Sequence, residues 1–303
     1  MSSATIYGTS ALHVLCSAAP TPELAFGRVE LSVGGPAAVV ACQLALLGHR
    51  PLFVGTVGAD PPGEFVRAEL DRYGVGGSAV IESARTPRIL ALVGGGSVEL
   101  TADADAELPP SPEQWLVAGQ VEGMRTGWHP DEPSYATGFP ELAPVIRALG
   151  DAGVRLLVDV GYLPLISDVP KLIEHVVSIS HAIGVGVVSG QPLSSRDRKR
   201  LIDVILQGGA ETVLTTLGAD GVMVSTCDGA EHLPAFRTVA VDPLCAGDTF
   251  VAGFLSGVME GRDVVSAACF GQAVAAAKVS IFGGLPTRDE VDALMAAQGM
   301  EAL

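Results

Sequence analysis

The chain has 303 residues, 48% of them hydrophobic, which is enough to bury the core of one large α/β domain. It carries 34 acidic and 18 basic side chains, a formal net charge of −16, which argues against non-specific nucleic-acid binding and an anionic membrane surface. Its five cysteines stand singly without a C-x-x-C pair, as is typical of free thiols, and we therefore expect a cytoplasmic protein.

The first half of the chain alternates short apolar segments with helical patterns. Glycines and prolines separate these segments and mark their ends. The predicted elements are a strand at 4–7, a helix at 36–47, a strand at 51–57, a helix at 63–73, and a hairpin of 88–93 and 97–101 around Gly94-Gly95-Gly96.

The second half continues the alternation. The predicted helices are 141–152, 169–180, 195–207, 247–260, 264–282 and 288–298, and the predicted strands are 155–160, 182–188, 212–216 and 222–225. Loops are expected at 104–112 and 127–138. The longest apolar run near the C-terminus, residues 264–277, is shorter than the roughly 20 residues that a membrane-spanning helix needs.

Strands that are apolar on both faces and alternate with helices predict an α/β fold with a mostly parallel, helix-covered sheet. The glycine hairpin differs, because it lies between α/β units. Together with residues 27–33 it is expected to form a small sheet that projects from the main body. We find no internal repeat and no low-complexity linker, so the expectation is one domain over residues 1–303.

The stretch VDPLCAGDTFVAGF, residues 241–254, combines a strand-like end, a turn of small residues and the start of an apolar helix. Asp248 has two interpretations. It caps the helix or stabilises its first turn, as many carboxylates do. Alternatively, the turn exposes backbone N–H groups to an anion and Asp248 acts as a base beside them. Gly34-Gly35 and TLGADG (216–221) mark two further glycine loops, and ligands of such sheets bind where the strands end.

Taken in order, these loops resemble the ribokinase-like, phosphofructokinase-B type carbohydrate and nucleoside kinases. The resemblance covers nearly the whole chain. SVGGPAAVVACQLALLGHRPLFVGTVGADPPGEFVRAELDRYGV looks like the first signature of the family, and VDPLCAGDTFVAGFLSGV looks like the second. VLTTLGADGVMV resembles the nucleotide-side strand and loop, and FGQAVAAAKVSIFGGLPT resembles the closing helix beside the adenine.

This resemblance implies ATP-dependent phosphorylation of a hydroxyl, with Mg²⁺ bound to the nucleotide. It makes Asp248 the base, and it makes the 245–248 turn an anion hole for the transferred phosphoryl group, with the N–H groups of Cys245, Ala246 and Gly247 joined by that of Asp248. The other implied contacts are Thr216, Gly218 and Gly221 along ATP, Gln272 and Ala275 near adenine, His13, Gly34, Gly35 and Val39 at the acceptor, and Asp242 at a monovalent cation such as K⁺. Gln272 is equally open to a packing role.

Several positions depart from the family pattern. His13 stands where the family has an Asp that binds acceptor hydroxyls, and Val39 replaces an Asn; His13 is read either as a substrate contact or as a buried core histidine. The Asn-x-x-Glu motif is absent from VVSGQPL, residues 187–193. Cys245 replaces a glycine, which is unfavourable by about 1 kcal/mol if the position needs a positive φ.

The sequence therefore predicts a ribokinase-like fold with a lid formed by about residues 15–34 and 86–104. It predicts a small-molecule kinase for a sugar-like or nucleoside-like acceptor. A nucleoside kinase proper is one alternative, and a ligand-binding pseudokinase of the same fold is another. The lid has sheet edges that a second copy would protect, so a homodimer through the lid is expected.

Overall fold

The structure is a computed structural model that describes residues 4–18, 26–75, 79–83, 85–94, 97–102, 125–161, 167–190 and 193–300. Its strands are β1 Thr5–Thr9, β2 Ala11–Ala18, β3 Phe26–Gly34, β4 Leu52–Gly58, β5 Ala79–Ser83, β6 Arg88–Gly94, β7 Ser97–Ala102, β8 Ser134–Thr137, β9 Leu156–Asp159, β10 Ile183–Ser189, β11 Thr212–Thr216, β12 Val222–Thr226 and β13 Gly229–Leu233.

Its α-helices are α1 Pro36–Leu46, α2 Pro61–Tyr73, α3 Ala143–Asp151, α4 Val169–Ile179, α5 Ser195–Gln207, α6 Ala246–Met259, α7 Val264–Val279 and α8 Arg288–Ala297. Short 3₁₀ turns occupy Pro140–Leu142, Ser180–Ala182 and Gly218–Asp220. Within the described ranges, no helix combines the length and the apolar character needed to cross a membrane.

The main sheet has the strand order β13-β12-β11-β10-β9-β8-β1-β4-β5 among the described residues. All strands from β11 to β5 are parallel, and only β12 and β13 are antiparallel to their neighbours. Helices connect most of the parallel strands, as a parallel pairing requires. The predicted α/β class with a mostly parallel sheet is confirmed.

The main sheet separates two apolar cores. Neighbouring side chains on one strand point to opposite faces, so Ile6 packs with α1 and α6 while Tyr7 packs with α3 and α4. Leu157 and Val158 divide in the same way on β9. Burial on both faces explains why these strands read as continuous apolar runs.

A second, small sheet has the order β3-β2-β6-β7. The predicted hairpin is confirmed, because β6 and β7 pair antiparallel up to Gly94 and Ser97. The predicted strand at 27–33 lies within β3. The sequence did not predict β2, which lies between β3 and β6 and brings His13 into this sheet. We call these four strands the small sheet.

One predicted loop and one predicted helix end are wrong, and a second predicted loop is not described. The loop expected at 127–138 contains β8, a short central strand whose four residues are all buried. The helix expected to reach 282 ends at Val279, where Ser280 and Ile281 form tighter turns and Gly283 adopts a φ of 77°. The loop expected at 104–112 lies outside the described residues.

Helices α6 and α7 pack closely through glycines, which brings the backbones of the two helices together. A Cβ atom on Gly253 would lie 2.7 Å from the Cα atom of Gly271 and 2.7 Å from a methyl of Val274. Glycine is therefore needed at 253 for packing.

Candidate active site

Asp248 lies in the first turn of α6, beside the ends of the central strands of the main sheet. The helix has no side-chain cap, and its first backbone bond of the i to i−4 type runs from Thr249 N to Cys245 O. The Ala246 N–H donates to Pro243 O at 3.3 Å. In the described part of the chain, the Gly247 and Asp248 N–H groups have no acceptor, so they are available to an anion.

Gly247 has an unusual environment for a glycine. Its φ is not positive, and a Cβ atom placed on it would meet no atom of the described chain within 4 Å. Neither backbone conformation nor packing therefore requires glycine at this position. The residue is exposed next to the free N–H groups, and a bare backbone here allows a bulky anion to come close.

Cys245 precedes α6 in the left-handed conformation, with φ 62° and ψ 14°. Among the described residues it is the only non-glycine residue with a positive φ. This confirms that the position needs the conformation that glycine adopts easily, and the cysteine costs about 1 kcal/mol there. Burial raises the pKa of the Cys245 thiol, with the charge of Asp248 as a further cause, so the thiol stays protonated and is a poor nucleophile.

Asp248 shares the site with a second carboxylate, Asp159, at the end of β9. Burial is the main cause that raises the pKa of Asp248 to about 7, the charge of Asp159 adds to it, and a hydrogen bond from Cys245 opposes it. Burial also raises the pKa of Asp159 to about 6, although Asp159 Oδ1 accepts a 2.8 Å bond from Gly161 N. A carboxylate with a pKa near neutrality is well suited to accept a proton.

Tyr135 of β8 lies within the electrostatic range of the same two acids. Its side chain is fully buried, and its hydroxyl has no hydrogen-bond partner within the described ranges. Burial raises its pKa well above the ordinary value, and the charges of Asp159 and Asp248 raise it further. The hydroxyl therefore remains neutral beside the two carboxyl groups.

The sequence did not assign Asp159 and Tyr135 to the site. Asp159 ends a predicted strand of a sheet whose ligands bind at strand ends, and this was the signal available for it. Tyr135 had no such signal, because its strand was predicted as a loop.

The residues assigned to the acceptor by resemblance do come together. His13, Val39 and Cys245 line one cavity with room for about 20 Å³ of solvent, which is enough for a single water molecule. His13 is 4% exposed, and its Nδ1 lies 4.0 Å from Cys245 Sγ. Burial lowers the pKa of His13 to about 4, so the imidazole is neutral at neutral pH.

The local structure requires glycine at both positions 34 and 35. A Cβ atom on Gly34 would overlap the His13 ring, so the histidine fills the space that the glycine leaves. Gly35 has a φ of 82°, and its Cβ atom would lie 2.6 Å from Thr9 O. Both glycines thus fix the turn between β3 and α1, and their contact with an acceptor stays a prediction.

The residues assigned to the nucleotide lie at the β11–β13 edge and on α7. Thr216 ends β11, and Gly218 and Gly221 have φ values of 61° and 97° in the turn that follows. Gln272 Nε2 donates to Leu233 O at 3.3 Å, so its amide connects α7 to β13. Ala275 is half-buried on the same helix.

The Asp242 carboxylate is buried and accepts three hydrogen bonds from protein groups. Its Oδ2 accepts from Lys278 Nζ at 2.9 Å and from Gly283 N at 3.1 Å, and its Oδ1 accepts from Leu244 N at 2.9 Å. No group of three or more His, Cys, Asp or Glu side chains suited to a metal ion occurs in the described part of the chain. The positive charge that faces the Asp242 carboxylate is the Lys278 ammonium group.

Residues 7–289 match the family model described as pfkB family carbohydrate kinase. The chain is 24% identical over 286 residues to a ribokinase of Haemophilus influenzae, with 89% of this chain and 90% of the relative covered. It is 28% identical over 291 residues to a 2-dehydro-3-deoxygluconokinase of Bacillus subtilis, covering 88% and 87%. It is also 30% identical over 247 residues to a fructokinase of Klebsiella pneumoniae, covering 77% and 78%.

Solved structures of similar fold include a fructokinase of Xylella fastidiosa with bound ATP, with a TM-score of 0.78, 23% identity and coverage of 98% of this chain and 99% of that one. Another is an aminoimidazole riboside kinase of Salmonella enterica complexed with aminoimidazole riboside and an ATP analogue, with a TM-score of 0.72, 22% identity and coverage of 97% and 99%. The predicted ribokinase-like fold is thus confirmed, and the chain belongs to the PfkB family of carbohydrate kinases, which are phosphotransferases acting on sugar hydroxyls.

Proposed function

We propose that the chain transfers the γ-phosphoryl group of ATP to a hydroxyl of a sugar-like or nucleoside-like acceptor at the N-terminal turn of α6. The observation that carries this proposal is the combination of Asp248 with the free N–H groups of Gly247 and Asp248 in one turn. Phosphoryl transfer depends mainly on positioning and on stabilisation of charge, and such a turn supplies both.

Asp248 is the base in this proposal. Its carboxylate accepts the proton of the acceptor hydroxyl while the hydroxyl oxygen attacks the γ-phosphorus. Its pKa of about 7 keeps it largely ionised at slightly alkaline pH and still basic enough to hold the proton during transfer.

The N-terminal turn of α6 stabilises the charge on the phosphoryl oxygens. Gly247 and Asp248 have free N–H groups, whereas the Ala246 N–H is already engaged. Of the donors inferred from the resemblance, the Ala246 N–H is therefore the least available in the described part of the chain. Mg²⁺ enters with the nucleotide, bound through phosphate oxygens and water, and neutralises phosphate charge.

The acceptor side favours a specialised substrate. A neutral, buried His13 and an apolar Val39 offer fewer hydrogen bonds to sugar hydroxyls than the carboxylate and amide of the family pattern. The cavity between them admits one water, so an acceptor needs either a small group there or movement of the small sheet. We expect the reaction to take place in the cytoplasm, where ATP is available.

Replacing the base should abolish most of the turnover. In Asp248→Asn the side chain keeps its size but cannot accept the proton, so kcat should fall about 10²–10⁴-fold. The dissociation constant of ATP, measured by calorimetry, should change little. Unchanged turnover would return Asp248 to the role of a helix-stabilising residue.

The pH dependence of activity provides a second test of Asp248 as the base. Activity of the native protein should fall as the pH drops through about 7, because protonated Asp248 no longer acts as a base. Asp159→Asn removes a negative charge that raises the pKa of Asp248, so it should shift this acidic limb to lower pH. A limb that stays in place would mean that another group controls it.

Gly247→Ala should separate catalysis from stability. The added methyl group meets no protein atom but enters the space of the phosphoryl group, so we expect kcat/KM to fall on the order of 10²-fold. The free energy of unfolding in urea should be preserved, because alanine is favoured over glycine in a helix. Gly253→Ala is the control on the same helix; its methyl group meets Gly271 and should cost roughly 1–3 kcal/mol of stability. Full activity of Gly247→Ala would remove the proposed anion hole.

Common acceptors should be poor substrates. An unsatisfied substrate hydroxyl costs about 1–3 kcal/mol, so two lost contacts lower kcat/KM by about one to four decades for ribose, fructose and adenosine. The double variant His13→Asp plus Val39→Asn should recover part of this loss.

Both proteins should be assayed for ATP consumption against a panel of sugars, nucleosides and cyclitols. Native activity on ribose, fructose or adenosine of about 10⁴ M⁻¹s⁻¹ or more would contradict this account of the acceptor pocket. A preference for nucleosides would favour a nucleoside kinase proper. Binding of ATP without turnover of any acceptor would favour a ligand-binding protein of the same fold.

We also propose that the small sheet forms a homodimer. Leu31, Val14 and Leu90 stand in register across three strands, and Val29 lies two residues from Leu31 on the same face. Val29 and Leu31 are 58% and 53% exposed, which is unusual for neighbouring apolar side chains on a monomer. The same contact would cover the edges of the small sheet.

Sedimentation velocity tests this dimer. Leu31→Glu should shift the native protein from dimer to monomer, because it places charges in the apolar contact. Val239→Glu, at an exposed apolar residue outside the small sheet, should leave the dimer intact. A native protein that stays monomeric at high concentration would refute the interface.

A further inference from the structure

Lys278 is the single charged residue of α7, and it lies in the last turn of the helix. Its side chain is 3% exposed, and the side chain of Asp242 that faces it is 0% exposed. The Lys278 Nζ atom lies 2.9 Å from Asp242 Oδ2 and 3.3 Å from Asp242 O. The ammonium group thus contacts a side-chain oxygen and the backbone oxygen of the same residue.

These two oxygens are the kind of ligand that a monovalent cation requires. The resemblance placed such a cation at Asp242, whereas the structure places an ammonium group there. A second positive charge on the same oxygens would lie within a few ångströms of Nζ, in surroundings where charge repulsion is weakly screened. Lys278 and a bound cation therefore exclude each other.

We propose that the Lys278 ammonium permanently takes the place of a monovalent cation, so that this kinase neither binds nor requires K⁺. An ammonium group and K⁺ carry the same charge and have nearly the same ionic radius. The proposal rests on the proposed function for its catalytic consequence, but the occupancy of the site by Lys278 stands independently of it.

The contacts of Asp242 show what the ammonium group does. The carboxylate accepts the N–H of Leu244, the residue that precedes Cys245, and so fixes the chain that leads into the N-terminal turn of α6. It also accepts Gly283 N from the segment after α7. Lys278 balances the charge of this buried carboxylate, and the turn that holds Gly247 and Asp248 is ordered without an added ion.

The N–H groups around Asp242 reinforce this arrangement. Val241 N and Asp242 N both donate to Val279 O, at 2.7 and 3.1 Å. The residue that carries the ammonium group and the residue that receives these bonds are therefore neighbours. The end of α7 and the approach to α6 form one rigid connection.

The test compares cations at constant ionic strength, with KCl, NH₄Cl and NaCl against tetramethylammonium chloride. The melting temperature of the native protein should be the same in all four salts, and so should kcat/KM for whichever acceptor the panel identifies. Lys278→Ala removes the ammonium group and opens space beside Asp242. This variant should gain a saturable rise in melting temperature, on the order of 5 °C, in KCl and NH₄Cl.

Two variants control for loss of packing. Lys278→Met keeps the stem of the side chain, removes the charge and leaves no room for an ion, so added K⁺ should not stabilise it. Lys278→Ala combined with Asp242→Asn lacks the carboxylate and should also be insensitive. Lys199→Ala, at an exposed lysine paired with Asp203, should behave as the native protein in every salt.

A saturable K⁺-specific rise in melting temperature or in kcat/KM of the native protein would overturn the proposal. A folded Lys278→Ala that responds to none of the ions would overturn it as well. If Lys278→Ala does not fold in any salt, the response of the native protein to the four salts is by itself the test of the proposal. If the proposed kinase function is wrong, no turnover will be seen in any salt. The melting temperatures will still show whether the native protein or the variant binds K⁺.

Discussion

The buried ion pair between Lys278 and Asp242 is the interaction on which the geometry of the site depends. It joins the end of α7 to the segment that enters α6, and the Asp242 carboxylate holds the backbone of Leu244. A buried carboxylate without a partner is strongly destabilising, and removing one member of such a pair typically costs about 3–5 kcal/mol. The pair therefore fixes the position of the turn as well as balancing its charge.

The residues to which we assign chemistry at this site are unfavourable for the fold. Cys245 adopts a left-handed backbone, and Asp159 and Asp248 are half-buried among groups that disfavour their charges. The pKa of Asp248 rises from an ordinary value of 3.8 to about 7. Its protonated form therefore favours the folded state at low pH, and this contribution is lost as the pH rises through that interval. Such local costs persist where the surrounding structure overdetermines them, and they concentrate at functional sites.

Many helices and strands could be predicted from the sequence because the residue patterns that define them are local. Helix α5 and strand β11 were predicted with their observed bounds, since capping residues, apolar periodicity and glycine turns define their ends. Strands β2 and β8 were missed for a different reason. Each is defined by its neighbours in a sheet, and the short β8 has the composition of a loop. Tyr135 was missed together with β8. Asp159 ends a strand that was predicted, but the sequence does not show that this strand end lies beside Asp248.

The partner of Asp242 could be predicted only in part from the sequence. The resemblance directed attention to Asp242 and implied a monovalent cation as its partner, whereas the structure shows Lys278 as its ion-pair partner, because a motif carries positions and not contacts. The chain nevertheless held a local signal: α7 is apolar and small along its length, and lysine is its single charged residue. A lysine is almost never fully buried without a partner, so a helix of this composition that packs on both sides implies a buried acid within reach of its last turn. Asp242, at the start of a motif already assigned to the site, is the acid that the structure supplies.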